Sequence, residues 1–150
     1  MEISPDLREL LKLFHFHGVE CVVVGAHALA LHGLPRFTAD LDLLLKRNRS
    51  NADRILAALK DFGFGNIDLS AEDFLMPDQV IQLGHPPNRV DLLTSISGVD
   101  WDTVDTGALD GAFEDIPVRF LGREELIQNK RTTGRLKDLA DVEALLDRPE

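Results

Sequence analysis

Three aspartates carry the chemistry this sequence offers. The stretch RFTADLDLLL (36–45) sets Asp40 and Asp42 one leucine apart at the start of an apolar run, and RVDLLTS (89–95) sets Asp91 between Val90 and Leu92. On an extended strand, residues two apart project from the same face, roughly 6.5–7 Å from each other along the chain. Asp40 and Asp42 therefore share a face, while Leu41 and Leu43 take the other. Like-charged carboxylates in a partly dry site resist ionisation unless something positive sits between them. A hard divalent cation meets that need. Magnesium takes oxygen ligands, commonly one or two carboxylates, with waters and substrate phosphates completing its octahedron. Two such ions can clamp the attacking and leaving oxygens of a phosphoryl displacement. D-x-D by itself also fits a plainer role, with Asp40 capping a turn and Asp42 facing solvent on an edge strand.

The segment that must position these acids lies just upstream. VVVGAHALALHG (22–33) delivers a β-branched strand into Gly25 and then a small-residue helix. Gly25 has no side chain and lets backbone approach a ligand closely. The helix after it presents free N–H groups and a positive dipole end, which suits an anion. Ala26, Ala28 and Ala30 keep that helix slim enough to lie tight on a sheet. The dinucleotide fingerprint is absent, because only one of its close-set glycines is present.

Around this unit the pattern alternates between helix and strand. Ser4 caps a first helix, Pro5 suits its first turn, Leu7, Leu10, Leu11 and Phe14 mark its buried stripe, and Gly18 ends it. VECVVV (19–24) and ADLDLLL (39–45) read as strands. Ser50 or Asn51 caps another helix, with Ala52, Ile55, Leu56 and Leu59 on one face and Gly63 past its end. QVIQLG and RVDLLTS read as a hairpin around HPPN. FEDIPVRFL reads as one late strand, and GREELIQNKR and RLKDLADVEALL as two helices meeting at Thr132–Gly134. The spacing predicts an α+β fold, a mixed sheet with helices packed on it, in a single domain over residues 1–150.

Charge and composition narrow the function further. The net charge of −10 argues against a surface that coats nucleic acid. Its distribution is uneven. Seven acids and no Lys or Arg lie between Asp91 and Val118, whereas six bases against Glu124 and Glu125 lie between Arg119 and Lys137. That basic stretch fits a local phosphate contact or a solvated charged helix. Cys21 is the single cysteine, so an internal disulfide is impossible and core packing in a reducing compartment is its expected role. No signal-peptide stretch opens the sequence, and no apolar run approaches the ~18 residues that cross a bilayer. The expectation is a cytoplasmic protein without membrane contact. The five histidines lack the spacing of a zinc site, and no G-x-S-x-G elbow is present.

Taken together, VVVGAHALALHGLPRFTADLDLLL (22–45), RVDLLTSISGV (89–99) and LIQNKRTTGRLKDLADVEALL (126–146) resemble the nucleotidyltransferase superfamily that includes DNA polymerase β. More closely, they look like the small bacterial AbiEii-type and minimal nucleotidyltransferases, several of which serve in toxin–antitoxin pairs. The resemblance implies a central mixed sheet flanked by helices, with helices at the C-terminal end. It implies that Asp40, Asp42 and Asp91 hold Mg²⁺, or Mn²⁺ in its place, and that the Gly25–Ala26 turn receives the triphosphate of an NTP. Asp91 would also serve as base for the acceptor hydroxyl. Arg36 and Thr38 would touch phosphate or position the strand. Lys130, Arg135 and Lys137 would neutralise phosphate charge, oriented by Asp138 and Asp141. A plain i, i+4 pair of Lys137 with Asp141, worth about 0.2–0.5 kcal/mol, is the simpler role for that tail. Relatives often carry Gly-Ser where this chain has Gly25-Ala26, so a hydroxyl is absent there.

The expected activity is Mg²⁺-dependent transfer of an NMP to an unidentified acceptor: an RNA or tRNA end, a protein hydroxyl or a small molecule. The expected partners are the NTP, an RNA or protein acceptor, and a cognate toxin or antitoxin. A catalytically silent, antitoxin-like binding protein is the alternative, its acidic Asp91–Asp115 stretch docking on a basic partner. A two-metal nuclease fits less well, because Asp91 is followed by Leu-Leu-Thr-Ser rather than by an acid-x-Lys pair.

Overall fold

Helix α1 (Pro5–Phe16) begins where Ser4 accepts a hydrogen bond from the Leu7 amide, and it buries Leu7, Leu10, Leu11 and Phe14. In this computed structural model, which describes residues 3–38, 40–64 and 68–148, the chain then alternates between strands and helices. Strand β1 (Cys21–Val24) runs into helix α2 (Gly25–Leu31), and β2 (Asp40–Leu45) into α3 (Arg49–Leu59). A hairpin of β3 (Val80–Leu83) and β4 (Arg89–Leu93) follows. Helix α4 (Trp101–Gly107) leads to a second hairpin, β5 (Leu109–Phe113) and β6 (Ile116–Phe120). Helices α5 (Arg123–Thr133) and α6 (Leu136–Leu146) end the described chain.

The strands form one mixed sheet in the order β3-β4-β2-β1-β6-β5. Strand β2 sits centrally, antiparallel to β1 and parallel to β4. Its alternation decides what each face receives. Leu41, Leu43 and Leu45 enter a core with Val23, α1 and α3. On the opposite face, Leu44 joins Val22 and Val24 under α2, α5 and α6, and Asp40 and Asp42 share that face by the two-residue period. Full burial of each leucine stabilises the fold by about 1.5–3 kcal/mol, so a one-residue slip of β2 would lose this core and bury charge.

Several boundaries differ from the sequence reading. Strand β1 starts at Cys21 rather than Val19. Helix α3 is capped by Asn48, not Ser50 or Asn51, because the Asn48 carboxamide accepts from the Asn51 amide at 2.7 Å. Asn51 is fully buried and does a different job. Its oxygen accepts from the Glu20 amide (2.7 Å), and its nitrogen donates to the carbonyls of Glu20 (3.0 Å) and Lys46 (2.9 Å). It thus ties the start of β1 to the end of β2. FEDIPVRFL is not one strand: the chain reverses at Glu114, with φ 54°, and a preceding edge strand, LDGAF, pairs with β6. LDGAF went unread because Asp and Gly are depleted in strands and most of its side chains face solvent. Ala39, expected to open β2, lies outside the described residues.

No helix among the described residues is long and apolar enough to cross a membrane. Cys21 is half-buried, and burial pushes its thiol up to about 12, which keeps it protonated and unreactive.

Candidate functional site

The sheet register brings the three aspartates together. Asp42 lies opposite Asp91 across the β2–β4 pair, and Asp40 lies opposite Arg89. On its other side, Asp42 faces Val24, the last residue before the turn into α2. Gly25 makes that turn with φ +68°, and any side chain there would collide with the Asp42 carboxylate. Gly25 is therefore required twice, by its left-handed backbone and by the acid that uses its space. The N-cap of α2, Val24, offers no side-chain acceptor to the helix's leading amides.

Packing three acids together has an electrostatic consequence. The Asp42 carboxyl is pushed up to about 6, first by burial, then by the charges of Asp91 and Asp40, and by a hydrogen bond to Asp91. Two carboxyls can share such a bond only if one of them carries a proton. Arg89 works in the opposite direction. Its Nε and Nη2 donate to the two oxygens of Asp91, each at 2.9 Å, and its Nε lies 3.6 Å from Asp40 Oδ1. This fork is a bidentate, charge-assisted pair. It went unread in the sequence although the signal was there: Arg89 is two residues before Asp91 and so shares its face.

Thr38 braces the start of β2. Its hydroxyl donates to the Asp40 carbonyl (3.0 Å) and accepts from the Asp40 amide (3.2 Å). Arg36 reaches the other way, to Asp141 on α6, with Nη2 2.6 Å from Oδ1. Lys130 on α5 contacts the second Asp141 oxygen at 2.9 Å and Asp138 at 3.6 Å. Asp138 is buried, accepts from Thr133 Oγ1 (2.8 Å) and from Arg135 Nε (2.7 Å), and is lowered to about 2 mainly by Arg135. These bonds knit the 36–38 segment to both C-terminal helices. Asp141 pairs with Arg36 and Lys130, and the i, i+4 pair with Lys137 does not form among the described residues. Lys137 is exposed on α6 and is not gathered into this network.

A cleft of about 290 Å³ opens beside Asp40, lined also by Ser4, Leu7, His27, Thr38 and Pro87, and neither Asp42 nor Asp91 lines it. His27 is half-buried there with its ring edge-on to Phe113, centroids 5.3 Å apart, and burial lowers its pKa, favouring the neutral imidazole. A larger hollow of about 500 Å³ lies between α1 and the β5–β6 hairpin, floored by Val23 and Leu43 on the other face of the sheet, and it touches none of the three aspartates.

The donor set suits a hard divalent cation, being three carboxylates on adjacent strands. Among the described residues, however, no three Asp, Glu, His or Cys side chains stand as a ready metal cage. Arg89 instead engages both oxygens of Asp91.

No family model matches this sequence, and no curated protein does either. Solved structures do match. A candidate nucleotidyltransferase from Thermotoga maritima superposes with a TM-score of 0.60 at 18% identity, covering 97% of this chain and 95% of that one. The lincosamide antibiotic adenylyltransferase LnuA, with lincomycin bound, gives a TM-score of 0.58 at 15% identity, covering 98% and 99%. An antigenic nucleotidyltransferase-like protein from Paracoccidioides brasiliensis gives 0.50 at 15%, covering 97% and 78%. The α+β architecture is thus the fold of nucleotidyltransferases.

Proposed function

We propose that this chain is a nucleotidyltransferase: an acceptor hydroxyl oxygen bonds to the α-phosphorus of an NTP, the bond from that phosphorus to the bridging oxygen breaks, and pyrophosphate leaves. One observation carries the reading. The β2–β4 register sets Asp42 opposite Asp91, with Asp40 on the same face, beside the Gly25 turn.

Asp40, Asp42 and Asp91 would hold Mg²⁺, or Mn²⁺ in its place. When bound, such an ion neutralises phosphate charge and lowers the pKa of a coordinated hydroxyl. The chain's own residues do the rest by positioning and electrostatics. Asp42 must lose the proton it holds near pH 6 before it can act as a ligand. The amides at Gly25 and Ala26 offer donors to a phosphate, and Ala26 adds no hydroxyl to them. Arg36 and Lys130 supply positive charge on the α5–α6 side, fixed by Asp141. Thr38 holds the Asp40 backbone in place. Asp91, once free of Arg89, accepts the acceptor's proton. The small cleft beside Asp40, with the neutral His27, favours a compact hydroxyl compound as acceptor. LnuA, an antibiotic adenylyltransferase of this fold, is consistent with that choice.

The test is to incubate the protein with Mg²⁺, each NTP labelled at its α-phosphate, and a cell lysate, and to follow the label by gel and mass. Wild type should transfer label, and Asp40→Ala and Asp42→Ala should each lose transfer by at least a hundredfold. Equal transfer by all three would refute the mechanism. The fork between Arg89 and Asp91 favours a second reading, a catalytically silent binding protein of the same fold. Under it, none of the three would bind or transfer an NTP.

A further inference from the structure

Arg89 is the one cation that reaches into the carboxylate cluster among the described residues. Three ionised aspartates carry −3, and the guanidinium brings the cluster to −2, the charge that one divalent ion balances. Both Asp91 oxygens accept from the fork, at 2.9 Å each, so a cation bound to either oxygen would sit close to the guanidinium charge. Asp91 is nearly buried, with 11% of its side chain exposed, so it has little room to turn another oxygen edge outward. Arg89 keeps 28% of its side chain exposed and has no described partner outside the cluster. Among the described residues its hydrogen bonds and ion pairs are to Asp40 and Asp91, so a swing toward water breaks no polar contact outside the cluster.

We propose that Arg89 is the resident counter-ion of this site, and that a divalent cation reaches Asp91 only by displacing its guanidinium. The inference rests on the metal-site reading above and adds a competition to it. The fork holds the acids in register while no ion is bound, and it weakens the affinity for a free ion. A nucleotide brings its own phosphate oxygens as further ligands, so an ion arriving on an NTP overcomes the fork more readily than a bare one. The site would then be selective for the metal–nucleotide complex over the ion alone.

The experiment is Mn²⁺ binding, read as loss of the free-ion paramagnetic resonance signal, on wild type, Arg89→Gln and Arg89→Lys, with and without a non-hydrolysable NTP. Without nucleotide, Arg89→Gln should bind Mn²⁺ roughly tenfold more tightly than wild type, the scale of a charge-assisted hydrogen bond removed from competition. Arg89→Lys, which keeps the charge and loses the fork, should fall between them. A merely structural arginine would give the opposite sign, because losing it would loosen the acids and weaken binding. Should Arg89→Gln fail to fold, the wild-type protein still answers: titration with Mg²⁺ and nucleotide should shift the Arg89 Nε–H resonance as the fork opens. Binding by Arg89→Gln that is equal to or weaker than wild type, or an Nε–H signal unmoved at metal saturation, would overturn the proposal. Absence of Mn²⁺ binding in all three proteins, even with nucleotide, would instead overturn the nucleotidyltransferase reading.

Discussion

Replacing Asp42 with Asn should make the metal-free protein more stable, and should do so mainly above pH 6. The folded carboxyl sits at about 6, against about 3.9 for an unperturbed aspartate. A folded pKa above the unfolded one means that the native chain holds the proton more tightly. That stabilisation is complete below about pH 4 and is lost as pH rises through 6. Two units at 1.36 kcal/mol each give roughly 3 kcal/mol, and partial exposure to screening water reduces this to about 1–2 kcal/mol. Asn cannot ionise, yet its amide can still donate to Asp91, so the variant escapes the penalty. In a chain of this size, about 1–2 kcal/mol corresponds to a rise of roughly 3–6 °C in Tm. The assay is thermal unfolding of both proteins with a chelator present, at pH 8 and at pH 5. The gain should be full at pH 8 and fall by about half at pH 5. A variant less stable than wild type at pH 8, or a gain that ignores pH, would refute the electrostatic reasoning. The same titration predicts that affinity for a divalent ion climbs through pH 6.

Other expectations follow from the geometry. Gly25→Ala should destabilise the fold by about 1–3 kcal/mol in urea titration, because an L side chain at φ +68° is strained and meets the Asp42 carboxylate; an unchanged midpoint would contradict that. Asn51→Leu should cost about 1–3 kcal/mol by the same assay, since it leaves the Glu20 amide and the Lys46 carbonyl without their Asn51 partner, while the Glu20 carbonyl keeps the Lys46 amide. Asp138→Asn should be destabilising at pH 7 by a similar amount. Asp138 is lowered to about 2, so its contribution is present above about pH 4 and fades as pH falls through 2. Wild type and variant should therefore converge in stability toward pH 2, and curves that stay parallel would refute the assignment.

The central strand pair was legible because its signals are local. The period-two alternation of ADLDLLL fixed which face Asp40 and Asp42 share, and the Val-rich run before Gly25 placed the turn beside them. Arg89 obeys the same rule relative to Asp91, but its partner could be known only from the fork that folding creates. The role of Asp141 was hidden differently. Sequence spacing pairs it with Lys137, whereas tertiary packing brings Arg36, 105 residues away, and Lys130 on the facing helix. The β5 edge strand was missed because an exposed strand needs no apolar alternation. Asn51 read as a cap because asparagine is common there, and its role depends on Glu20, 31 residues away, which only folding brings beside it and Lys46.

The most direct measurement is anomalous diffraction from a crystal of the wild-type protein soaked with Mn²⁺ and a non-hydrolysable NTP. The expected result is a manganese peak in contact with carboxylate oxygens of Asp40 and Asp42, with Asp91 released from Arg89 and the triphosphate lying toward the Gly25 turn. Nucleotide or manganese bound elsewhere, with the Arg89–Asp91 fork intact, would contradict it.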